Sequence, residues 1–324
     1  MHRSRLRLAA GVAGLVAVTL SLTACGDSDN TGSSSGHKRT IGVSFAAPTI
    51  ALYAAMQKGI KAEADARGIN VIFTDAGGDA VKQANDINDL IAKNVDGILV
   101  SPIDGKAAVA PLQQAKAANI PVMTVARDVP DTSLRRAFVG NNWGASGKQI
   151  AEWTCKNVGT GKIAMIKGPS AAPYVKEMAE AYKAVVGSAS CPNMSVAHEV
   201  NVTQLTAEEG LRATKDALSA VPDVKVVYVN LDDFLNGTLQ AINEAGKKGQ
   251  ITVTGFDGIS STLELVKSGQ VGFEIALRPT NWGKTALTSM LDALDGKDVP
   301  STVTIETTPF DKTNVGKITV DFLA

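Results

Sequence analysis

The side chains able to make or break covalent bonds are few, and their spacing does not suit the task. Three cysteines occur, Cys25, Cys155 and Cys191, and three histidines, His2, His37 and His198. A zinc site draws its ligands from Cys, His and carboxylates, commonly through a His pair or a CxxC. Neither pattern is present, so no metal is expected. A Ser-His-Asp triad would have to use His198, which lies in a strand-like stretch with no GxSxG elbow. No GxGxxG follows a strand and there is no P-loop, so no cofactor is expected either. What remains is reversible, noncovalent chemistry, in which an arginine can donate paired hydrogen bonds from its planar fork and a carboxylate can accept two. The protein is expected not to be an enzyme.

The front of the chain carries one reactive thiol. Arg3, Arg5 and Arg7 precede an apolar run from Leu8 to Leu22, and small residues lead to Cys25 in Leu22-Thr23-Ala24-Cys25. This is the three-part layout of an export signal, and the run is short for a membrane span of roughly 20 residues. Cys25 resembles the lipidated cysteine of bacterial lipoprotein signals; the alternative is an ordinary secretory signal with a chance cysteine. Residues 1–24 are therefore expected to be a signal peptide and Cys25 the lipid-bearing first residue. Residues 25–38, rich in Gly, Ser and Asp, form a flexible tether. The expected location is extracytoplasmic, on the cell membrane. With Cys25 lipidated, an even pair remains, which in an oxidising compartment suggests a disulfide between Cys155 and Cys191. Two separate buried thiols are the alternative.

About 285 residues follow the tether, more than one core comfortably holds. The chain balances 32 basic against 32 acidic side chains, and no basic stretch follows the signal, so nucleic acid is not an expected partner. From Arg39 onward short β-branched runs alternate with helix-length stretches. Strands are expected from Ile41 to Phe45, Val71 to Thr74, Gly97 to Val100, Pro121 to Val125 and Phe138 to Gly140, with helices between. The rhythm restarts near residue 142 and runs to short final strands near Val303 to Ile305 and Ile318 to Val320. Strict alternation means parallel sheets covered on both faces. The expected fold class is α/β, two doubly wound lobes. A (β/α)8 barrel is the competitor, against which ten or more strands argue.

In doubly wound sheets, ligands sit beyond the carboxyl ends of strands. Those positions hold Tyr53, Ser101, Arg127, Asn141, Trp143, Tyr174, Phe234 and Asp257, the candidate ligand-binding residues. Five of the chain's fifteen aromatic residues, Tyr53, Trp143, Tyr174, Phe234 and Trp282, fall at or beside these edges, where their faces could stack on a flat or CH-rich ligand. The competing roles are a surface ion pair with Asp128 for Arg127, a helix cap for Asp257, and core packing for the aromatics. Asp232 is expected to cap its helix.

The stretch from Lys38 to the end resembles the ribose/galactose-type periplasmic binding proteins, the substrate-binding subunits of ABC importers. The resemblance is carried by Val253-Thr254-Gly255-Phe256-Asp257-Gly258, by Ala118-Asn119-Ile120-Pro121-Val122 leading to Arg127, and by Val95-Asp96-Gly97-Ile98-Leu99-Val100-Ser101-Pro102. It implies two lobes joined by three crossings, one lobe at 39–141 plus 278–306 and the other at 142–277 plus 307–324. The ligand would lie between lobes that close on it. Arg127 matches the family arginine that grips sugar hydroxyls and Asp257 the aspartate after Gly-Phe. Ser101 and Asn141 stand at small polar contacts and Tyr53 at a stacking aromatic. The implied partners are a small sugar or sugar-like molecule and an ABC permease, and the chain is expected to act as a monomer. A ligand-sensing subunit for a membrane kinase or chemoreceptor is the alternative.

Several family contacts depart here. Polar positions are occupied by Ala126, Ile50, Leu231, Leu277 and Met178. A buried polyol hydroxyl left without a partner costs about 1–3 kcal/mol. The expectation is therefore a ligand with an apolar or aromatic face and a polar end held by Arg127 and Asp257.

Overall fold

A computed structural model describes residues 38–47, 49–170 and 172–319. The signal peptide, Cys25 and the tether up to residue 37 lie outside the described residues.

The first lobe begins with β1 (Thr40–Phe45), α1 (Ala51–Arg67), β2 (Asn70–Asp75), α2 (Ala80–Ala92), β3 (Gly97–Val100), α3 (Val109–Ala117), β4 (Val122–Val125) and β5 (Ala137–Gly140). Local signals set the ends of these elements. Gly68 takes a left-handed conformation and stops α1, while the Asp79 carboxylate accepts from the Val81 and Lys82 amides to start α2. β1, β3 and β4 are buried along almost their whole length, as strands covered on both faces must be.

The second lobe follows with α4 (Trp143–Asn157), β6 (Gly161–Lys167), α5 (Pro173–Val186), β7 (Met194–Asn201), α6 (Ala207–Ala220), β8 (Val224–Val229), α7 (Leu235–Glu244), β9 (Thr252–Thr254), α8 (Ser260–Lys267) and β10 (Phe273–Ala276). The chain then returns through α9 (Pro279–Leu294) and β11 (Thr302–Thr304) and ends on β12 (Thr308–Asp311).

Among the described residues two six-stranded sheets form, in the orders β11-β5-β4-β3-β1-β2 and β12-β10-β9-β8-β6-β7. Every pairing is parallel except β10 with β12. Two open sheets exclude the closed barrel. The chain passes between the sheets at 141–142, at 277–278 and at 305–307. The strand expected near Ile318 is absent, since 318 and 319 adopt no regular structure. The closing strand is β12, which pairs with β10 from Phe273 opposite Asp311 to Ala276 opposite Thr308.

α9 packs on α1 under the first sheet. Gly59 and Gly283 make that approach possible: a Cβ on Gly59 would stand 2.0 Å from the Thr280 carbonyl oxygen, and one on Gly283 1.9 Å from that of Met56. A single apolar cluster runs from this face (Ile41, Val43, Met123, Leu287) through Trp282 to Met165, Tyr182 and Tyr228 in the second lobe. Separate clusters fill the outer faces, one under α2 and α3 and one under α6 and α7. A disulfide joins Cys155 at the end of α4 to Cys191 beyond α5, with Cα atoms 5.6 Å apart.

Candidate functional site

The winding of the first sheet reverses between β1 and β3, and that of the second between β6 and β8. Buried polar atoms without a partner among the described residues gather at the carboxyl ends of these strands and their neighbours. They are Ser44 Oγ, Tyr53 OH, Ser101 Oγ and Asn141 Nδ2 in the first lobe, and Asn230 Nδ2 and Thr254 Oγ1 in the second. Native interiors seldom leave such groups unpaired, so a cluster of them at a sheet reversal marks a place built for a polar guest. Their backbone frame is rigid. Gln83 donates to the carbonyls of Ser44 and Ser101 at 3.3 and 3.0 Å, and Asn230 Oδ1 accepts from the Gly168 amide at 2.9 Å.

Arg127 stands at the end of β4 and is exposed. Asp128 does not pair with it: the Asp128 carboxylate accepts from Arg135 Nε and Nη2, each at 2.7 Å. Among the described residues the Arg127 guanidinium has no ion-pair or hydrogen-bond partner. Asp257 stands at the end of β9 and does not cap α8, which begins without any side-chain cap. Its backbone is clamped to β10, its amide donating to the Ile275 carbonyl at 3.1 Å and its carbonyl accepting from the Leu277 amide at 2.9 Å. The residues at these two strand ends share an uncommon backbone. Ala126, just before Arg127, has φ 63°, and Asp257 itself has φ 127°. Strain of this kind in non-glycine residues concentrates at ligand clamps.

Burial raises the Tyr174 phenol to about 12, and four neighbours act on it as well. Asp257, Asp233 and Tyr53 raise it further, and Arg127 lowers it. Arg127 and Tyr53 belong to the first lobe, Asp257 and Asp233 to the second. Tyr174 therefore marks where the two walls face each other. Trp143 sits beside it, half-buried, with ring centroids 5.4 Å from Tyr174, 5.9 Å from Phe256 and 6.2 Å from Trp282. Trp282 is fully buried, and its indole N–H donates to Asn141 Oδ1 at 3.0 Å.

The structure sets Trp143 against Tyr174 and places Tyr53, Arg127 and Asp257 where each acts electrostatically on Tyr174, with Ser101 and Asn141 at adjoining strand ends. It does not bring in Phe234, which is wholly buried in the second lobe's outer cluster with Val229, Leu231 and Ala213. The strand-end position suggested a stacking face, but the 3-10 turn at Asp232–Phe234 turns the ring inward. Asp232 is also corrected. It caps no helix; its Oδ2 accepts from the Ile259 amide at 3.1 Å, across in the loop after β9.

Of the apolar departures, Leu231 and Leu277 are buried beside the acidic strand ends, Met178 is buried against α4, and Ile50 is 47% exposed. Phe256 and Glu274 were not foreseen. Glu274 could have been, as a lone charge in the apolar strand Phe-Glu-Ile-Ala. It is fully buried and meets Asp232 beside Asp257. Burial, and then the neighbouring Asp232 and Asp233 carboxylates, push Asp257 well above the usual carboxylate range. Among the described residues no group of His, Cys and carboxylates could hold a metal ion.

Residues 41–298 match the family model described as periplasmic binding protein domain. The chain belongs to the periplasmic binding protein family. Its resemblance to ribose import binding protein RbsB of Bacillus subtilis is 31% identity over 278 residues, 84% of this chain and 87% of that protein. Fructose import binding protein FruE of Bifidobacterium longum is 28% identical over 320 residues, 95% of this chain and 94% of that one. The crystal structure of a periplasmic ribose ABC transporter protein from Conexibacter woesei superposes with a TM-score of 0.81 at 26% identity, covering 86% of this chain and 94% of the other. The family is one of extracytoplasmic solute-binding proteins of transport, and the two-lobed α/β architecture is theirs. Among the described residues no helix is long and apolar enough to cross a membrane.

Proposed function

We propose that this periplasmic binding protein captures a sugar or sugar-like polyol between its lobes and delivers it to an ABC permease. The guanidinium of Arg127 donates to ligand hydroxyls from one side and Asp257 accepts from the other. Trp143 and Tyr174 offer the stacking surface, and the orphaned polar atoms of Ser101, Tyr53 and Asn141 complete the first-lobe wall. The observation that carries this is the cluster of unpartnered buried polar atoms at the strand ends of both lobes, beside which the charges of Arg127 and Asp257 both act on Tyr174. The relatives' names, import proteins for ribose and fructose, support the ligand class.

The ligand has an apolar or aromatic face as well as hydroxyls, because the buried Leu231 and Leu277 stand at positions where the family resemblance would place hydrogen-bonding side chains for a fully hydroxylated sugar. The protein performs no covalent chemistry, works as a monomer, and is held to the outer face of the membrane by lipid on Cys25. The test is calorimetric titration of the purified protein with ribose, fructose, xylitol and their aryl or deoxy derivatives, alongside mass spectrometry of any molecule carried through purification. Binding of a derivative at least about tenfold tighter than its parent is expected, from burial of one apolar group. Micromolar binding of an unmodified monosaccharide sinks the apolar-face element, and no binding by any polyol sinks the ligand class. Palmitate labelling that survives Cys25→Ser removes the lipid anchor.

A further inference from the structure

Glu274 lies on β10, one strand in from the edge of the second sheet, and is 0% exposed. Its Oε1 accepts from the Ile275 amide at 3.0 Å. Its Oε2 meets Asp232 Oδ1 over the backbone of Gly255, where an added Cβ would stand 2.0 Å from the first oxygen and 3.2 Å from the second. Both oxygens are buried, and among the described residues neither has a hydrogen-bond donor to accept from. Ionised carboxylates only accept hydrogen bonds. Two of them can meet in a dry interior only with a proton between them.

The surroundings supply no counter-charge. The charges weighing on the pair are Asp257, from the loop after β9, and Asp233, from the same turn as Asp232. From β12 the residue opposite Glu274 is Phe310. None of the four carboxyls is ion-paired among the described residues.

We propose that Glu274 and Asp232 share one proton at neutral pH, and that this acid pair is the brace that sets Asp257 for ligand contact. The second half rests on the assignment of Asp257 to the ligand site made above. The brace has four links. The Ile275 amide fixes Glu274, and the Glu274 hydroxyl donates to Asp232 Oδ1. Asp232 Oδ2 then accepts from the Ile259 amide in the loop that carries Asp257. The Asp232 amide donates to Asp257 Oδ2 at 3.4 Å. Glu274 is thus a positioning residue two steps from Asp257 and three from the ligand. Raised pKa values support the arrangement: burial lifts Asp232 to about 7, and burial with the nearby Asp232 carboxylate lifts Glu274 well above its usual range.

Glu274→Gln keeps a donor toward Asp232 and an acceptor for Ile275 but cannot ionise. Glu274→Leu removes the donor. Infrared spectra of the purified, ligand-free protein are expected to show an un-ionised carboxyl signal at neutral pH that is lost as pH rises and is reduced in E274Q, where the Asp257 contribution remains. Hydrogen exchange reads the loop. In the wild type the Gly258 and Ile259 amides should lose protection by at least about tenfold beyond the intrinsic rate change between about pH 6.5 and pH 9. They should stay protected in E274Q at both values and be deprotected in E274L at both. A wild type with no un-ionised carboxyl at neutral pH overturns the proposal without any variant. So does a band undiminished in E274Q, or an E274L loop as protected as the native one. None of these measurements needs a ligand. If they hold while Asp257→Asn leaves sugar affinity unchanged, the acid pair stands and the assignment of Asp257 to the ligand fails.

Discussion

The two walls of the cleft are built on the same winding yet carry opposite chemistry. The first lobe offers an exposed, unpaired cation at Arg127 and neutral hydroxyl and amide groups at Ser44, Tyr53, Ser101 and Asn141. The second offers the carboxyls of Asp233 and Asp257, with Asp232 and Glu274 behind them, and the aromatic faces of Trp143 and Tyr174. A hydroxyl can donate to one wall and accept from the other, so a polyol is held best when both walls are present. That difference gives the closed state its differential contacts, without which closure would be independent of ligand.

The strongest way to break the symmetry of the lobes is through the one covalent tie, which only the second possesses. Cys155 and Cys191 are separated by 36 residues, and removing such a cross-link costs on the order of 3–4 kcal/mol. Cys155→Ala with Cys191→Ala should lower the melting temperature, and exchange should rise first in α4, α5 and β7. Equal loss of protection in both lobes would show that they melt as one unit.

Arg127→Ala and Asp257→Ala each remove charge-assisted hydrogen bonds worth about 1.5–3 kcal/mol. Either should weaken polyol binding by roughly 10- to 150-fold in calorimetry. The sharper comparison is the double variant: if the two walls grip the same hydroxyl, the losses will not add. Full additivity would mean that each wall holds a different part of the ligand.

The carboxyls also make the second lobe pH-sensitive. Folding raises Asp257 and the Asp232–Glu274 pair above the ordinary values of 3.8 and 4.5, near which the unfolded chain releases its protons. This contribution is therefore fully present below about pH 4 and is lost as pH rises through the folded values, about 7 for Asp232. The ligand-free protein should melt several degrees lower near pH 9 than near pH 5, and E274Q should flatten the curve. A melting temperature that climbs with pH in this window would contradict the acid-rich wall.

The smallest effect is expected at the stacking surface. Trp143→Leu removes an aromatic contact worth about 0.5–1.5 kcal/mol, a loss of roughly 2- to 10-fold in affinity. A much larger loss would mean that Trp143, which touches Tyr174, Phe256 and Trp282, holds the lobes in register instead of touching ligand.

The architecture was legible because buried parallel strands write a plain signal, continuous apolar runs separated by helical periods. β12 was not. Thr-Pro-Phe-Asp has little strand character, and it becomes a strand only because β10 offers a free antiparallel edge, where proline is tolerated. In the site, Arg127 and Asp257 could be placed from their strand-end positions, since the turn there points side chains into the cleft. Phe234 occupied a similar position and was misjudged, because one 3-10 turn reverses the ring. Asp232 looked like a helix cap, and sequence spacing cannot reveal that the Ile259 amide, 27 residues away, competes for it. Glu274 was passed over because one acid in a strand normally faces water. Only Gly255, by leaving room above it, shows where its carboxyl goes.

The route of the chain has a consequence for biogenesis. α9 covers β3, β4 and β5 of the first sheet, yet it is synthesised after every strand of that sheet but β11. Until residue 294 has left the ribosome, the apolar face formed by Ile41, Val43, Leu99 and Met123 has only α1 to cover it, so the first lobe cannot mature early. A secreted polypeptide wired in this order stays threadable through a translocation channel almost to its last segment, and it gains its shape only on the far side.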